Sequence, residues 1–236
     1  MENELVPPGL TYLADNIKTH QNILGVTKEQ GARWAEDLGL PAAAETVFFA
    51  GCGYQYSAQL EQLMNLSRTV DKTVIGSELP MRFARFQKKL GLNLPGIYST
   101  VISRNSQGEV RPLTAAIGVL RHIGIEPGYL AENEPCCGAP LNHAGLQDRF
   151  SENAKKAYKT LKSNNVKNII SIVPYCTHAL AELFPKHIKG FDINVRHFLQ
   201  VVVENLDSLK LRFPKPVTIT YHDPCQLVRF LGIVDE

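Results

Sequence analysis

No apolar run in this 236-residue chain approaches the roughly 20 residues a membrane span requires. The first residues, Met1-Glu-Asn-Glu, are acidic and lack the apolar segment of a secretory signal. The expectation is therefore a cytoplasmic protein. No charge of one sign dominates: 25 Lys and Arg stand against 23 Asp and Glu, a net charge of +2. That balance gives no electrostatic argument for nucleic acid or for an anionic membrane surface. There is no low-complexity tract and no fixed-period repeat. Cysteine is scarce, with five residues and so an odd count. In a reducing cytosol scarce thiols are metal ligands, redox groups or core residues more often than structural disulfides.

What is present is a consistent placement of those five cysteines. Each follows an apolar, strand-like run. Cys52 follows Thr46-Val-Phe-Phe-Ala50, and the adjacent Cys136 and Cys137 follow Gly128-Tyr-Leu-Ala131. Cys176 follows Asn168-Ile-Ile-Ser-Ile-Val173, and Cys225 follows Val217-Thr-Ile-Thr-Tyr221. Parallel strands would bring all five thiols to one sheet edge, where open α/β sheets bind ligands.

The pattern of strand, turn and helix predicts an α/β protein, a Rossmann-like layered domain with a mainly parallel sheet. Residues 1–45 read as a helical lead-in. Leu10, Leu13 and Ile17, then Ala32, Trp34, Ala35 and Leu38, form an apolar stripe that would cover the sheet or dock a partner. Strands are expected at 46–50, 128–131, 168–173, 191–195 and 217–221. Helices are expected at 57–68, 113–122, 146–164, 177–184 and 196–209. Residues 70–112, rich in Gly, Asn, Ser and Pro, read as an insertion over the sheet edge. Its basic helical piece, Met81 to Leu90, carries Arg82, Arg85, Lys88 and Lys89, a solvated face or a docking patch for an acidic partner.

Thiolates are soft ligands for iron or zinc. Adjacent cysteines suit a single zinc ion poorly, since zinc pairs are usually spaced C-x2-C to C-x4-C. Neighbouring side chains reach different metal atoms of a cluster more easily. Gly138 allows positive φ or close backbone approach, and Pro135 and Pro140 stiffen the loop. A thiolate cluster is anionic, and helix N-termini just beyond these loops would face it with free N–H groups.

Glu134-Pro-Cys-Cys-Gly138, with Phe48-Phe-Ala-Gly-Cys52 before it and Tyr221-His-Asp-Pro-Cys225 after it, resembles the CCG (cysteine-rich) domain family. The B-type and D-type components of heterodisulfide reductase belong to it. The resemblance runs from about residue 46 to the C-terminus. It implies residues 46–215 as a first CCG domain and 216–236 as the start of a second, incomplete CCG repeat. It implies an iron–sulfur cluster on Cys52, Cys136, Cys137 and Cys176, with Cys225 the first cysteine of the second copy and a weaker candidate metal ligand. The cluster would be [4Fe–4S], cubane or non-cubane. The expected partners are a ferredoxin-like Fe–S subunit and other oxidoreductase subunits, including those of a peripheral membrane complex. Electrons would pass on to a disulfide, quinone or flavoprotein partner.

Three departures stand out. The first cysteine of the family's C-x-x-C would fall at position 173, which is Val173. Cys52 and Cys136 are separated by 83 residues, far more than the family's usual spacing. Only Cys225 of the second copy is present. These departures motivate the alternative, a degenerate non-catalytic scaffold subunit or fragment with a structural metal or none. A vicinal Cys136–Cys137 disulfide would close a strained ring. His143, His178 and His222 read most simply as helix-start or loop hydrogen-bonders, with His222 and Asp223 a candidate proton relay. Tyr54, Tyr56 and Tyr175 read as packing residues. Gly51-Cys-Gly53 fails the dinucleotide fingerprint at Tyr56.

Overall fold

The structure is a computed structural model; it describes residues 6–57, 60–61, 111–210 and 215–234. Residues 70–110 of the expected insertion, its basic piece with Arg82, Arg85, Lys88 and Lys89, and most of the helix expected at 57–68 lie outside the described residues.

Three short parallel strands form an open sheet in the order β1 (Thr46–Phe49), β2 (Asn168–Ser171), β3 (Asn194–His197). Thr46 lies opposite Asn168, and Asn168 opposite Asn194. A single parallel bridge, Val47 to Gly128, adds a fourth segment on the free side of β1. The strand expected at 128–131 shrinks to that bridge, and on its other edge Tyr129 N donates to Pro41 O at 2.9 Å. The backbone then turns into a 3-10 segment at Ala131–Asn133. Residues 216–224 contain no strand, so the expectation at 217–221 is not met. In chain order the segments therefore lie 2-1-3-4, and the direction of winding reverses between β1 and β2.

The lead-in holds α1 (Pro8–His20), α2 (Lys28–Ala32) and a 3-10 segment at Arg33–Leu38. Beyond β1 come α3 (Gly51–Gln55), α4 (Arg111–His122), α5 (Ala139–His143) and α6 (Gln147–Ser163). After β2, α7 (Pro174–His178) runs through a π turn at Ala179–Leu183 into α8 (Phe184–His187), and α9 (Phe198–Glu204) follows β3.

The strand sequences explain the layering. Strands buried on both faces are continuous apolar runs, and alternate residues serve opposite faces. Val47, Phe49 and Ile169 pack with Phe150, Ala154, Ala157 and Leu161 of α6, with Ala14 and Ile17 of α1, and with Leu180 and Phe184. Phe48, Ala50 and Ile170 pack on the other side with Leu113, Ala116, Ile117 and Leu120 of α4, Trp34, Tyr129 and Val201. The helical spacing of the α4 and α6 residues places each set on one stripe. Cys136, Cys137 and Cys176 belong to the first of these two cores.

Candidate metal centre

Three segments arrive at the C-terminal end of the sheet on either side of the reversal. β1 runs into Gly51, and Cys52 is the second residue of α3. The Gly128 segment leads through Ala131–Asn133 to Glu134-Pro-Cys-Cys-Gly138. β2 leads into α7, with Cys176 in its first turn. A crevice at such a reversal is where open α/β sheets place their ligands.

The thiols touch in a row. Cys52 and Cys136, and Cys136 and Cys137, lie close enough for each thiol to shift its neighbour's ionisation. Cys137 Sγ lies 3.2 Å from Cys176 Sγ. Cys136, Cys137 and Cys176 are buried, Cys52 is partly so, and all five cysteines are free. The backbone N–H of Gly138 donates to Cys136 Sγ at 3.5 Å, and the Ile23 backbone beside Cys52 lowers its thiol's pKa somewhat. The Cys136 thiol and burial push the Cys52 thiol well up. The Cys137 thiol, together with burial, pushes Cys136 up to about 12. For Cys137 the Cys136 thiol pulls down, but the Cys176 bond and burial outweigh it. Cys176 is likewise pulled down by Cys137 and raised overall by burial and neighbouring thiols. Without a metal these are neutral thiols.

The loops are held by groups the motif does not announce. Glu134 is buried; its Oε2 accepts from Ala50 N at 2.8 Å and its Oε1 from Gly51 N at 2.9 Å and Gln55 Nε2 at 2.8 Å. It thus ties the Cys136–Cys137 loop to the turn that carries Cys52. Burial pushes its carboxyl up to about 7, against the pull of Lys28 and of these donors. Lys28 Nζ donates to the main-chain oxygen of Glu134. Asn153 Nδ2 donates to Cys136 O at 2.9 Å, and Cys136 N donates to Gln21 Oε1 at 3.4 Å. Gln21 and Asn153 also line a cleft of about 310 Å³ between α1 and α6. Among these holders Gln21, Ile23 and Lys28 come from the lead-in, which has no visible chemistry as sequence. Their partners lie far along the chain, so no local pattern could have marked them.

Cys225 is exposed and does not join the row. It precedes a π turn at Gln226–Phe230 that docks on α7: the Phe230 ring stacks on His178 at 4.7 Å, and Gln226 Nε2 lies 3.4 Å from His143 Nε2. His143 packs on Tyr175 at 4.7 Å. Burial lowers the His178 pKa. His222 and Asp223 are exposed. Tyr56 is a packing residue whose hydroxyl donates to Thr27 O at 3.2 Å.

Four soft donors from three loops, buried beside backbone N–H groups, fit an iron–sulfur cluster chemically. Their spacing is that of packed thiols. Two thiolates on one tetrahedral zinc stand about 3.8 Å apart, so the 3.2 Å pair must part to admit metal. Among the described residues no three His, Cys, Asp or Glu side chains are already set out as ligands of one ion.

Comparison with known proteins bears on the same loops. The family model described as a cysteine-rich domain, CCG, matches residues 102–181, which include Cys136, Cys137 and Cys176. The chain is 31% identical over 121 residues to the D-type component of the dihydromethanophenazine:CoB–CoM heterodisulfide reductase of Methanosarcina barkeri. Residues 102–181 are thus similar to the CCG cysteine-rich domain family. The Methanosarcina match covers 49% of this chain and 30% of the relative. The EtfAB:quinone oxidoreductase of Syntrophomonas wolfei is 29% identical over 52% of this chain and 17% of its own length. A probable iron–sulfur-binding oxidoreductase of Bacillus subtilis is 31% identical over 50% of this chain and 17% of its own length. The chain thus spans less than a third of the length of these relatives. No solved structure matches. Val173 stands where the CCG pattern that this segment resembles has a cysteine. Its Cγ2 lies 2.9 Å from where a Cβ on Gly51 would sit, and Cys176 Sγ lies 3.0 Å from the same point.

Proposed function

We propose that Cys52, Cys136, Cys137 and Cys176 hold an iron–sulfur cluster and that the chain is an electron-transfer subunit of a heterodisulfide-reductase-like or related Fe–S oxidoreductase. The observation that carries this reading is the convergence of four thiols at the β1/β2 reversal in a chain with five cysteines. The relatives named as heterodisulfide reductase, EtfAB:quinone oxidoreductase and iron–sulfur oxidoreductase support the same class. Bound there, the cluster would supply a site for gaining and giving single electrons. The chain's own residues hold the thiols, exclude water by burial and donate the Gly138 N–H to sulfur. Glu134 and Asn153 fix the loops relative to one another.

On this reading residues 46–215 form the first CCG domain and 216–236 open a second. Cys225 then belongs to the second site. Electrons arrive from a ferredoxin-like subunit and leave to a disulfide, quinone or flavoprotein partner. No helix among the described residues is long and apolar enough to cross a membrane.

The alternative is a scaffold subunit with structural metal or none. It draws on Val173 and on the 3.2 Å contact of Cys137 with Cys176. The deciding experiment is iron, zinc and acid-labile sulfide per chain after anaerobic purification, with an EPR spectrum of the same sample. About four irons and four sulfides with a cluster signal support electron transfer. Zinc alone, or no metal after attempted reconstitution, selects the scaffold.

A further inference from the structure

We propose that Lys28, brought in by the lead-in, is the cation that sets the charge environment of the four-cysteine site and raises the reduction potential of a cluster held there. This rests on the cluster reading above. Lys28 is half-buried at the start of α2. Its amine is anchored on the main-chain oxygen of Glu134, two residues before Cys136. Burial lowers its pKa, and the neighbouring Glu134, Cys136 and Cys52 oppose that shift by favouring the charged amine. Lys156 is the other cation within its reach and is exposed, so solvent and salt screen it.

The Glu134 carboxylate is the evident competitor for this charge. It is committed to the backbone N–H groups of Ala50 and Gly51 and to Gln55. The lysine is held by the carbonyl oxygen instead, on the side of the loop that leads to Cys136. A fixed cation in a partly dry site acts strongly on nearby charge, because the surroundings screen it less than water does. Four thiolates make the site anionic, and taking up one electron from a donor subunit makes it more so. Net charge and hydrogen bonding to sulfur are among the factors that set cluster potentials. A neighbouring cation therefore favours the reduced state, with no proton transfer needed to balance the step.

The test compares the full chain with its K28M, K28Q and K28R variants, each reconstituted anaerobically. Iron and sulfide are counted first, and the potential is then read by EPR-monitored redox titration. K28Q keeps a donor for Glu134 O but loses the charge, whereas K28R keeps the charge. The expected result is full cluster content throughout, with K28M and K28Q shifted to more negative potential and K28R close to the parent chain. The shift should persist at high salt, unlike that of a surface charge. A loaded K28Q at the parent potential would overturn the proposal and assign Lys28 a purely mechanical role. Equal loss of cluster in K28R and K28M would overturn it too, since shape rather than charge would then matter. A parent chain that takes up no iron or sulfide would instead bring down the cluster reading, and this proposal with it.

Discussion

Gly51 is where backbone geometry and the thiol site meet. It has a φ of +68°, and a Cβ there would meet Val173 Cγ2 at 2.9 Å and Cys176 Sγ at 3.0 Å. Gly138 repeats the arrangement at the other loop, with a φ of +69° and Asn153 Nδ2 2.5 Å from a Cβ. Each glycine lets a cysteine loop pass against a neighbour that a side chain would displace. Gly51→Ala combines left-handed strain with a forced shift of buried atoms, so a cost of about 2–3 kcal/mol is expected. Urea denaturation of the metal-free chain measures it. A loss under about 0.5 kcal/mol would show that the loop yields freely. Val173 stands on the other side of the same contact. Val173→Cys supplies a fifth thiol beside Cys176 and Gly51, and the expected outcome is more iron and sulfide per chain or an altered EPR signal. Unchanged metal content and spectrum would mean that position 173 does not face the bound group.

His197 shows how one element end depends on protonation. Its Nδ1 accepts from Leu199 N at 3.2 Å and caps α9, while Nε2 donates to Ile172 O at 3.2 Å. Both nitrogens of a neutral ring are thereby used, and the side chain is buried. Burial lowers its pKa to about 4, although the Ile172 bond pulls the other way. An unfolded histidine titrates near 6.5. Between those values the unfolded chain binds a proton that the folded chain refuses. The His197 contribution is therefore complete above about pH 6.5 and declines as pH falls toward about 4, by at most about 1.4 kcal/mol per pH unit. His197→Asn keeps a cap and removes the titration. Denaturation series at pH 7, 5.5 and 4.5 should show a shallower acid loss in the variant, and parallel curves would count against the assignment. The same junction shows what was legible. The 3.6-residue stripes of α4 and α6 appear in the sequence within two residues of their ends, because one-sided burial writes them there. β1 and β2 are legible because burial on both faces demands Val-Phe-Phe and Ile-Ile. β3 starts later than expected, since pairing with Asn168 and Ile169, and not the apolar content of 191–193, sets its register.

Across the whole molecule, the reversal of winding between β1 and β2 explains why cysteines far apart in sequence meet. That much followed from strand-then-cysteine repetition. The holders Gln21, Lys28 and Asn153 did not, because each acts on a backbone or charge reached only through the tertiary fold. The 217–221 run failed as a strand for a related reason: alternation makes a segment fit to pair, but a partner must be present for pairing. Among the described residues it has none, and Val217, Ile219 and Tyr221 are 54%, 71% and 68% exposed. Phe230 and Val234 add to the exposed apolar surface of the same C-terminal part. An exposed, uncharged segment with apolar side chains and no backbone partner is a template for edge-to-edge association. The isolated chain should therefore self-associate with rising concentration, as followed by light scattering coupled to size exclusion. Ile219→Lys, at a site with no packing to lose, should suppress this without changing Tm. Equal association of parent and variant would place the sticky surface elsewhere, and a parent chain that stays monomeric throughout would show that 216–221 does not template pairing when exposed.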